Sequence, residues 1–165
     1  GRKGYSDLIK AFANIKDRKG WKLVFAGNGE IPNARAKSLE LGINSEVEFL
    51  GWIDKEQKES VFSKAGVFCL PSYAEGFPMA VIDAVSYGIP VLTTPVGGIL
   101  DLFQNQISAL IFNPGDVASL SKAIEKIISH KDLRELLSKN ATKLAEDNFI
   151  IEKVMKDIGK IYENL

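Results

Sequence analysis

A chain of 165 residues, 45% apolar and 25% charged, has the size and balance of one ordinary globular domain with a real core. Lys+Arg and Asp+Glu both number 21, so no basic excess points to nucleic acid, and no apolar run is long enough to span a bilayer. The single cysteine excludes an internal disulfide and fits a reducing compartment.

The sequence opens at Gly1 without a methionine and enters a helical pattern almost at once, as a fragment or processed product would. Leu8, Phe12 and Ile15 recur at helical spacing and predict a helix from Ser6 to about Asp17. Lys22 to Ala26 reads as a strand that ends at Gly27-Asn28-Gly29. A helix through Ala34 to Leu41 stops at Gly42, a fitting C-terminal signal. Val47 to Leu50 reads as a second strand, followed by Gly51-Trp52. Asp54, with Gln57 three residues on, has the form of a capping box and starts the next helix. Val67 to Leu70 is an apolar strand in which Cys69 is expected to be an inert core thiol. The strand stops at Pro71, and the loop from Ser72 to Phe77 carries one carboxylate, Glu75. Pro78 opens a helix with a second carboxylate, Asp83. Strands at Pro90–Thr93 and Ala109–Phe112 follow. Asp116 caps a helix with a buried stripe of Leu120, Ile124, Ile127 and Ile128. Asp132 with Glu135 suggests another cap, with Leu133, Leu136, Leu137 and Leu144 facing inward. A last helix is expected to bury Ile151, Val154, Ile158, Ile161 and Leu165. His130, the only histidine, falls near a helix end and carries no expected catalytic role.

Strands separated by helices of this length specify an α/β fold, with a parallel sheet and right-handed crossovers. Four special loops each follow a strand: Gly27-Asn28-Gly29, Gly51-Trp52, Ser72 to Phe77, and Thr94 to Gly98. A parallel sheet puts all four on its carboxyl edge, where open α/β sheets bind ligands. Turn geometry alone explains any one of these glycines; their coincidence on one edge points to a nucleotide cleft. The helix from Pro78 aims free N–H donors and a positive dipole end back at the Glu75 loop. Acceptors for hydroxyls beside donors for phosphate suit a sugar nucleotide.

The residues behind that reading resemble a family. Lys3-Gly4 with Leu8 to Phe12 is similar to a "KG…LI.AF" helix, and Leu23 to Gly29 to an "LVIVGDG" strand and turn. Val47 to Trp52 is similar to "V.FLGW", and Leu70 to Pro78 to "LPS..EGFP", the most specific piece. Gly88-Ile89-Pro90-Val91 and Pro95 to Gly98 are similar to the segments that follow. In order and spacing these resemble the C-terminal, donor-binding domain of family 4 retaining glycosyltransferases. The resemblance implies a Rossmann-like parallel sheet flanked by helices, the C-terminal half of a GT-B fold. Residues 1–165 then form a single nucleotide-sugar-binding domain without its first strand and without the N-terminal acceptor domain.

The resemblance also implies roles. Glu75 binds hydroxyls of the transferred sugar and Asp83, where the family has glutamate, grips the ribose. Backbone N–H groups at Gly76, Phe77, Met79 and Ala80 meet the sugar and diphosphate, with Gly97 and Gly98 beside them. Lys3 neutralises phosphate, Gly51 and Trp52 border the base, and Gly27 and Gly29 let backbone approach the ligand. Arg2 adjoins Lys3 and is not assigned as the family's phosphate arginine. No metal or other cofactor is implied, and no nucleic acid. The implied partners are the nucleotide sugar and the absent acceptor-binding domain. The implied location is cytoplasmic, with room for peripheral attachment to the inner membrane face through the absent domain. Other readings remain: Glu75 as a solvated charge, Asp83 as a complement to the helix dipole, and Lys3 as a loose terminal residue. A glycosidase carboxylate pair, a sugar-nucleotide epimerase and a noncatalytic binding module are the rival functions. A dehydrogenase is disfavoured, because Gly27-Asn28-Gly29 lacks the third glycine of G-x-G-x-x-G.

Overall fold

The computed structural model describes residues 2–149 and residue 155. The elements alternate as the sequence requires. Helix α1 (Tyr5–Ala13) leads to β1 (Leu23–Ala26), α2 (Ile31–Glu40), a 3-10 turn at Asn44–Glu46, β2 (Val47–Gly51) and α3 (Lys55–Lys64). Then come β3 (Phe68–Leu70), α4 (Met79–Ser86), β4 (Val91–Thr93), α5 (Ile99–Leu102), β5 (Leu110–Ile111), α6 (Val117–Ser129) and α7 (Lys131–Asn148). All strand pairs are parallel, in register Leu23↔Val47, Phe68↔Val91 and Leu92↔Leu110. The strands form two ladders, β1-β2 and β3-β4-β5, and β1 is not hydrogen-bonded to β3.

Two cores flank the strands, and alternation along β4 divides them. Leu92 packs into the first core with Ile9 and Phe12 of α1 and Leu120, Ile124 and Ile127 of α6. Its neighbour Val91 points the other way, into Val81, Ala84 and Val85 of α4 and Ala141 of α7. All three residues of β4 are buried, which makes it the interior strand of its ladder. Fully burying a side chain such as Phe12 or Leu92 contributes about 1.5–3 kcal/mol each, so these helix faces fix where the strand-end loops sit.

Several sequence readings shift here. Helix α1 ends at Ala13, not near Asp17; Ile15 is still buried but its N–H closes a tighter turn onto the Phe12 carbonyl. Pro78 is the residue before α4 rather than its first turn. The Asp132–Glu135 cap does not form: α7 starts at Lys131, with His130 in the capping position and no side-chain cap. Leu136 is half exposed rather than inward, because it falls off the stripe that Leu137 and Leu144 follow into the cores. The stripe expected at Ile151 to Leu165 lies outside the described residues. The Asp54–Gln57 capping box forms with both of its hydrogen bonds, and Asp116 accepts from the Ser119 N–H as a cap should. Cys69 lies on the partly exposed β3, yet its thiol packs against the first core and burial pushes its pKa up to about 12.

Candidate functional site

Glu75 sits in a loop that is held from three sides. Strand β3 ends at Leu70, and Pro71, which has no N–H to continue a ladder, turns the chain. The N-terminal segment docks on this turn. Gly4 takes a left-handed conformation (φ 67) that lets its backbone lie against Pro71, where a Cβ would overlap the Pro71 carbonyl oxygen. The Tyr73 N–H donates to the Arg2 carbonyl and the Arg2 Nε donates to the Ala74 carbonyl, both at 2.9 Å. That docking brings Lys3 Nζ to 2.7 Å from Glu75 Oε1. The third side is Thr94, whose hydroxyl donates to the Ser72 carbonyl at 2.6 Å.

The environment of Glu75 is unusual for a loop carboxylate. Its side chain is only 8% exposed, against 61% for Lys3. Burial opposes its ionisation, but the Lys3 hydrogen bond, the Ser72 hydroxyl and the charges of Lys3 and Arg2 outweigh it and hold the carboxyl below its usual range. Ser72 Oγ is itself fully buried without a well-formed hydrogen bond. A buried hydroxyl without a full partner costs stability, and it lies close enough to Glu75 to favour the ionised form.

The next loop closes over the same place. The Gly98 N–H donates to the Gly76 carbonyl at 3.0 Å. Gly97 is left-handed (φ 59), and a Cβ there would overlap the Gly76 carbonyl oxygen. A Cβ at Gly98 would press into the Phe77 ring. Helix α4 then begins without a side-chain cap, so the N–H groups of its first turn, including those of Met79 and Ala80, lack capping partners. Met79 and Ala80 are both exposed.

Asp83, one turn into α4, does not stand alone. Lys58 Nζ of α3 donates to Asp83 Oδ2 at 2.9 Å, with the side chains 38% and 40% exposed. The loops after β1 and β2 form a separate pair, in which the Gly27 N–H donates to the Gly51 carbonyl at 2.6 Å. Trp52 is 70% exposed. A Cβ at Gly27 or Gly29 would meet nothing within 4 Å.

The expected residues thus fall into three groups. Lys3, Glu75, Gly76, Phe77, Gly97 and Gly98 are joined by direct contacts, with Met79 and Ala80 at the adjoining helix start. Asp83 is tied to Lys58. Gly27, Gly29, Gly51 and Trp52 belong to the other loop pair. Lys3, expected at phosphate, here bonds Glu75. Sequence reasoning placed Ser72 and Thr94 in the strand-end loops but gave their side chains no role, and it missed Lys58. Thr94 and Lys58 meet their partners 22 and 25 positions away, and no local pattern marks a threonine or a helix lysine for such a contact. Among the described residues there is no group of three or more His, Cys, Asp or Glu able to hold a metal, and no helix long and apolar enough to cross a membrane.

Known proteins resemble this chain in sequence and in fold. CapM, a capsular polysaccharide biosynthesis glycosyltransferase of Staphylococcus aureus, is 30% identical over 164 residues, which are 97% of this chain and 42% of CapM. Anabaena Alr3699/HepE, solved in complex with UDP-glucose, superposes with a TM-score of 0.87 at 21% identity, over 99% of this chain and 46% of that one. The C-terminal domain of LpcC, a glycosyl transferase group 1 family protein from Francisella tularensis, matches with a TM-score of 0.82 at 20% identity, over 91% of this chain and 81% of that one. At such identities the two structural likenesses are likenesses of fold. The chain spans about 42% of the length of the curated relatives it matches. The family model for glycosyl transferases group 1 covers residues 1–144. With most of its length inside that model and its fold matched along nearly half of longer relatives, this chain belongs to the group 1 glycosyltransferases, as the C-terminal half of a GT-B fold.

Proposed function

We propose that the chain is the donor-binding domain of a retaining glycosyltransferase that moves a hexose-type sugar from a nucleoside diphosphate sugar to an acceptor. One observation carries this reading. A carboxylate kept ionised, almost buried and paired with a lysine sits beside an uncapped helix start. Such a carboxylate can accept from sugar hydroxyls, and such a helix start can donate to phosphate. Alr3699/HepE, whose fold this chain matches, has been solved with UDP-glucose.

In the proposed mechanism Glu75 orients the sugar through its hydroxyls. The N–H groups around Phe77, Met79 and Ala80 bind the diphosphate. Lys3 is exposed enough to leave Glu75 for the phosphate once sugar hydroxyls replace it. These donors stabilise the charge that builds on the leaving diphosphate as the sugar becomes oxocarbenium-like. Gly27, Gly29, Gly51 and Trp52 border the base, and Asp83 the ribose. No metal or other cofactor is assigned to the reaction.

Within the same proposal, the rest of the protein supplies the acceptor-binding domain and the opening strand of this one. Among the described residues β1 pairs only with β2 and β3 only with β4, which leaves each an edge where that strand can pair. We place the protein in the cytoplasm, consistent with its single unpaired cysteine; any attachment to the inner membrane face belongs to the absent domain. The test is saturation-transfer NMR of this chain with UDP, GDP and ADP, with and without a chelator. One nucleotide should bind, weakly and equally in both conditions, and no glycoside should form from its sugar derivative. Silence with all three, or loss of binding on chelation, would overturn the reading.

A further inference from the structure

We propose that Lys58 is a specificity-determining residue of the donor site, reading the ribose diol jointly with Asp83. The inference rests on the donor-binding reading above, which gives Asp83 the ribose. It adds a residue on a different helix. Lys58 Nζ and Asp83 Oδ2 are 2.9 Å apart, and the two side chains are 38% and 40% exposed, so a ligand can reach both. Among the described residues this is the side-chain hydrogen bond that joins α3 to α4.

Structural duty is a weak explanation for the pair. Ion pairs this exposed add little to stability. Helix α3 has no buried residue, and its capping box already secures its start. Phe62 anchors it through ring contacts with Phe68 and Tyr87. Ligand chemistry explains the pair better. A carboxylate can only accept from a hydroxyl. Each hydroxyl of a vicinal diol both donates and accepts, so a lone carboxylate leaves the oxygen lone pairs unread. The ammonium carries three N–H donors and commits one to Asp83, which leaves two for a diol oxygen. The pair therefore presents an acceptor and a donor side by side. Lys58 also holds the short Asp83 side chain in place, since one methylene less than glutamate means about 1.5 Å less reach.

The test is calorimetry on the full-length protein. It uses whichever of UDP, GDP and ADP binds, together with its 2′,3′-dideoxy form. Lys58→Met should weaken the ribonucleotide about tenfold, the loss of one charge-assisted hydrogen bond, and leave the dideoxy form unchanged. Lys58→Arg should restore most of the difference. Equal weakening of both nucleotides would make Lys58 a general phosphate attractor and overturn the inference. Unchanged or tighter ribonucleotide binding would make it a plug over Asp83, which also overturns it. If the wild type binds none of the three, the donor-binding reading itself falls and this inference with it. Because Lys58 is only half-buried, on a helix with no buried residue, thermal melts of the variants should match the wild type.

Discussion

The loops after β3 and β4 are cross-tied, whereas those after β1 and β2 meet mostly solvent. In the first pair, Gly97 cannot gain a Cβ without striking the Gly76 carbonyl, and Gly98 holds that carbonyl by a hydrogen bond. Arg2, Lys3 and Thr94 brace the rest. In the second pair, a single backbone bond joins Gly27 to Gly51, the Tyr5 hydroxyl reaches Glu30 of the first loop, Trp52 is exposed, and Gly27 and Gly29 have open space around them. The difference follows from burial. Strand β4 is enclosed by both cores, so the loops at its end and beside it inherit fixed positions. Strand β1 is alternately exposed and pairs on one side only among the described residues, so its loop inherits less. Preorganised donors and acceptors matter most where charge changes during a reaction. Under the proposed reading, the braced rim at Glu75 would meet the reacting end of the ligand and the more open rim at Trp52 the end that is only bound.

Gly97→Ala attacks the rigid rim most directly. The left-handed conformation costs a side chain about 1–2 kcal/mol, and the overlap with Gly76 forces backbone movement on top of it. A total loss of about 2 kcal/mol or more is expected, visible as a Tm lower by roughly 4–8 °C. Nucleotide binding should fall with it. A melt that does not move would mean the two rims are equally pliable.

Glu75→Gln tests whether rigidity there serves turnover. In the full-length enzyme, kcat should fall about ten- to a hundredfold, the worth of a charged acceptor on a hydroxyl. Affinity for the nucleoside diphosphate, which lacks the sugar, should stay nearly constant. Unchanged kinetics would return Glu75 to an ordinary surface charge that happens to be covered.

The same carboxylate gives the rim a pH signature. Its folded-state pKa is lowered despite burial, by Lys3, Ser72 and Arg2. Folding is therefore favoured by its ionisation. That contribution is complete above the unfolded value of about 4.3 and disappears as pH falls through the lower folded value. Urea titrations of wild type and Glu75→Gln should diverge most near neutral pH and converge as pH falls through the lowered folded-state value. Glu46, held low by its hydrogen bond from Arg18, loses stability over the same range in both proteins and so cancels from the difference. A gap that widens in acid would reverse the assigned sign.

Legibility in the sequence followed the range of the interaction. The Asp54–Gln57 box, the Asp116 cap and the stripe from Leu120 to Ile128 depend on neighbours within one or two turns, and all three formed as read. The order of strands and the parallel pairing followed from the same local periodicities. The Asp132 cap failed because His130 already stood at the helix start. Helix α5 is four residues long, too short to show a period. At the candidate site, motif resemblance singled out Glu75 and Asp83 but not the contacts that hold them. Lys3 reaches Glu75 across 72 positions and Lys58 reaches Asp83 across 25. Such contacts are set by packing of whole elements, which a linear pattern does not encode.

Gly29→Ala is the smallest effect expected and the sharpest check on the open rim. Gly29 does not use the left-handed region, and a Cβ there would touch nothing within 4 Å. With no strain and no clash, the added methyl acts mainly on the unfolded chain, where it removes conformational freedom. Stability should hold or rise by up to about 1 kcal/mol. Among the described residues the methyl meets nothing, so a bound ligand becomes the contact to test. If the loop after β1 brings backbone against the nucleotide, affinity should drop while the melt stays put. Paired with Gly97→Ala, this separates two uses of glycine: one required by the protein's own carbonyl, the other by the space a ligand fills. A clear loss of stability at Gly29 would show that the loops after β1 and β2 are tied as firmly as those around Glu75, and would erase the contrast between the rims.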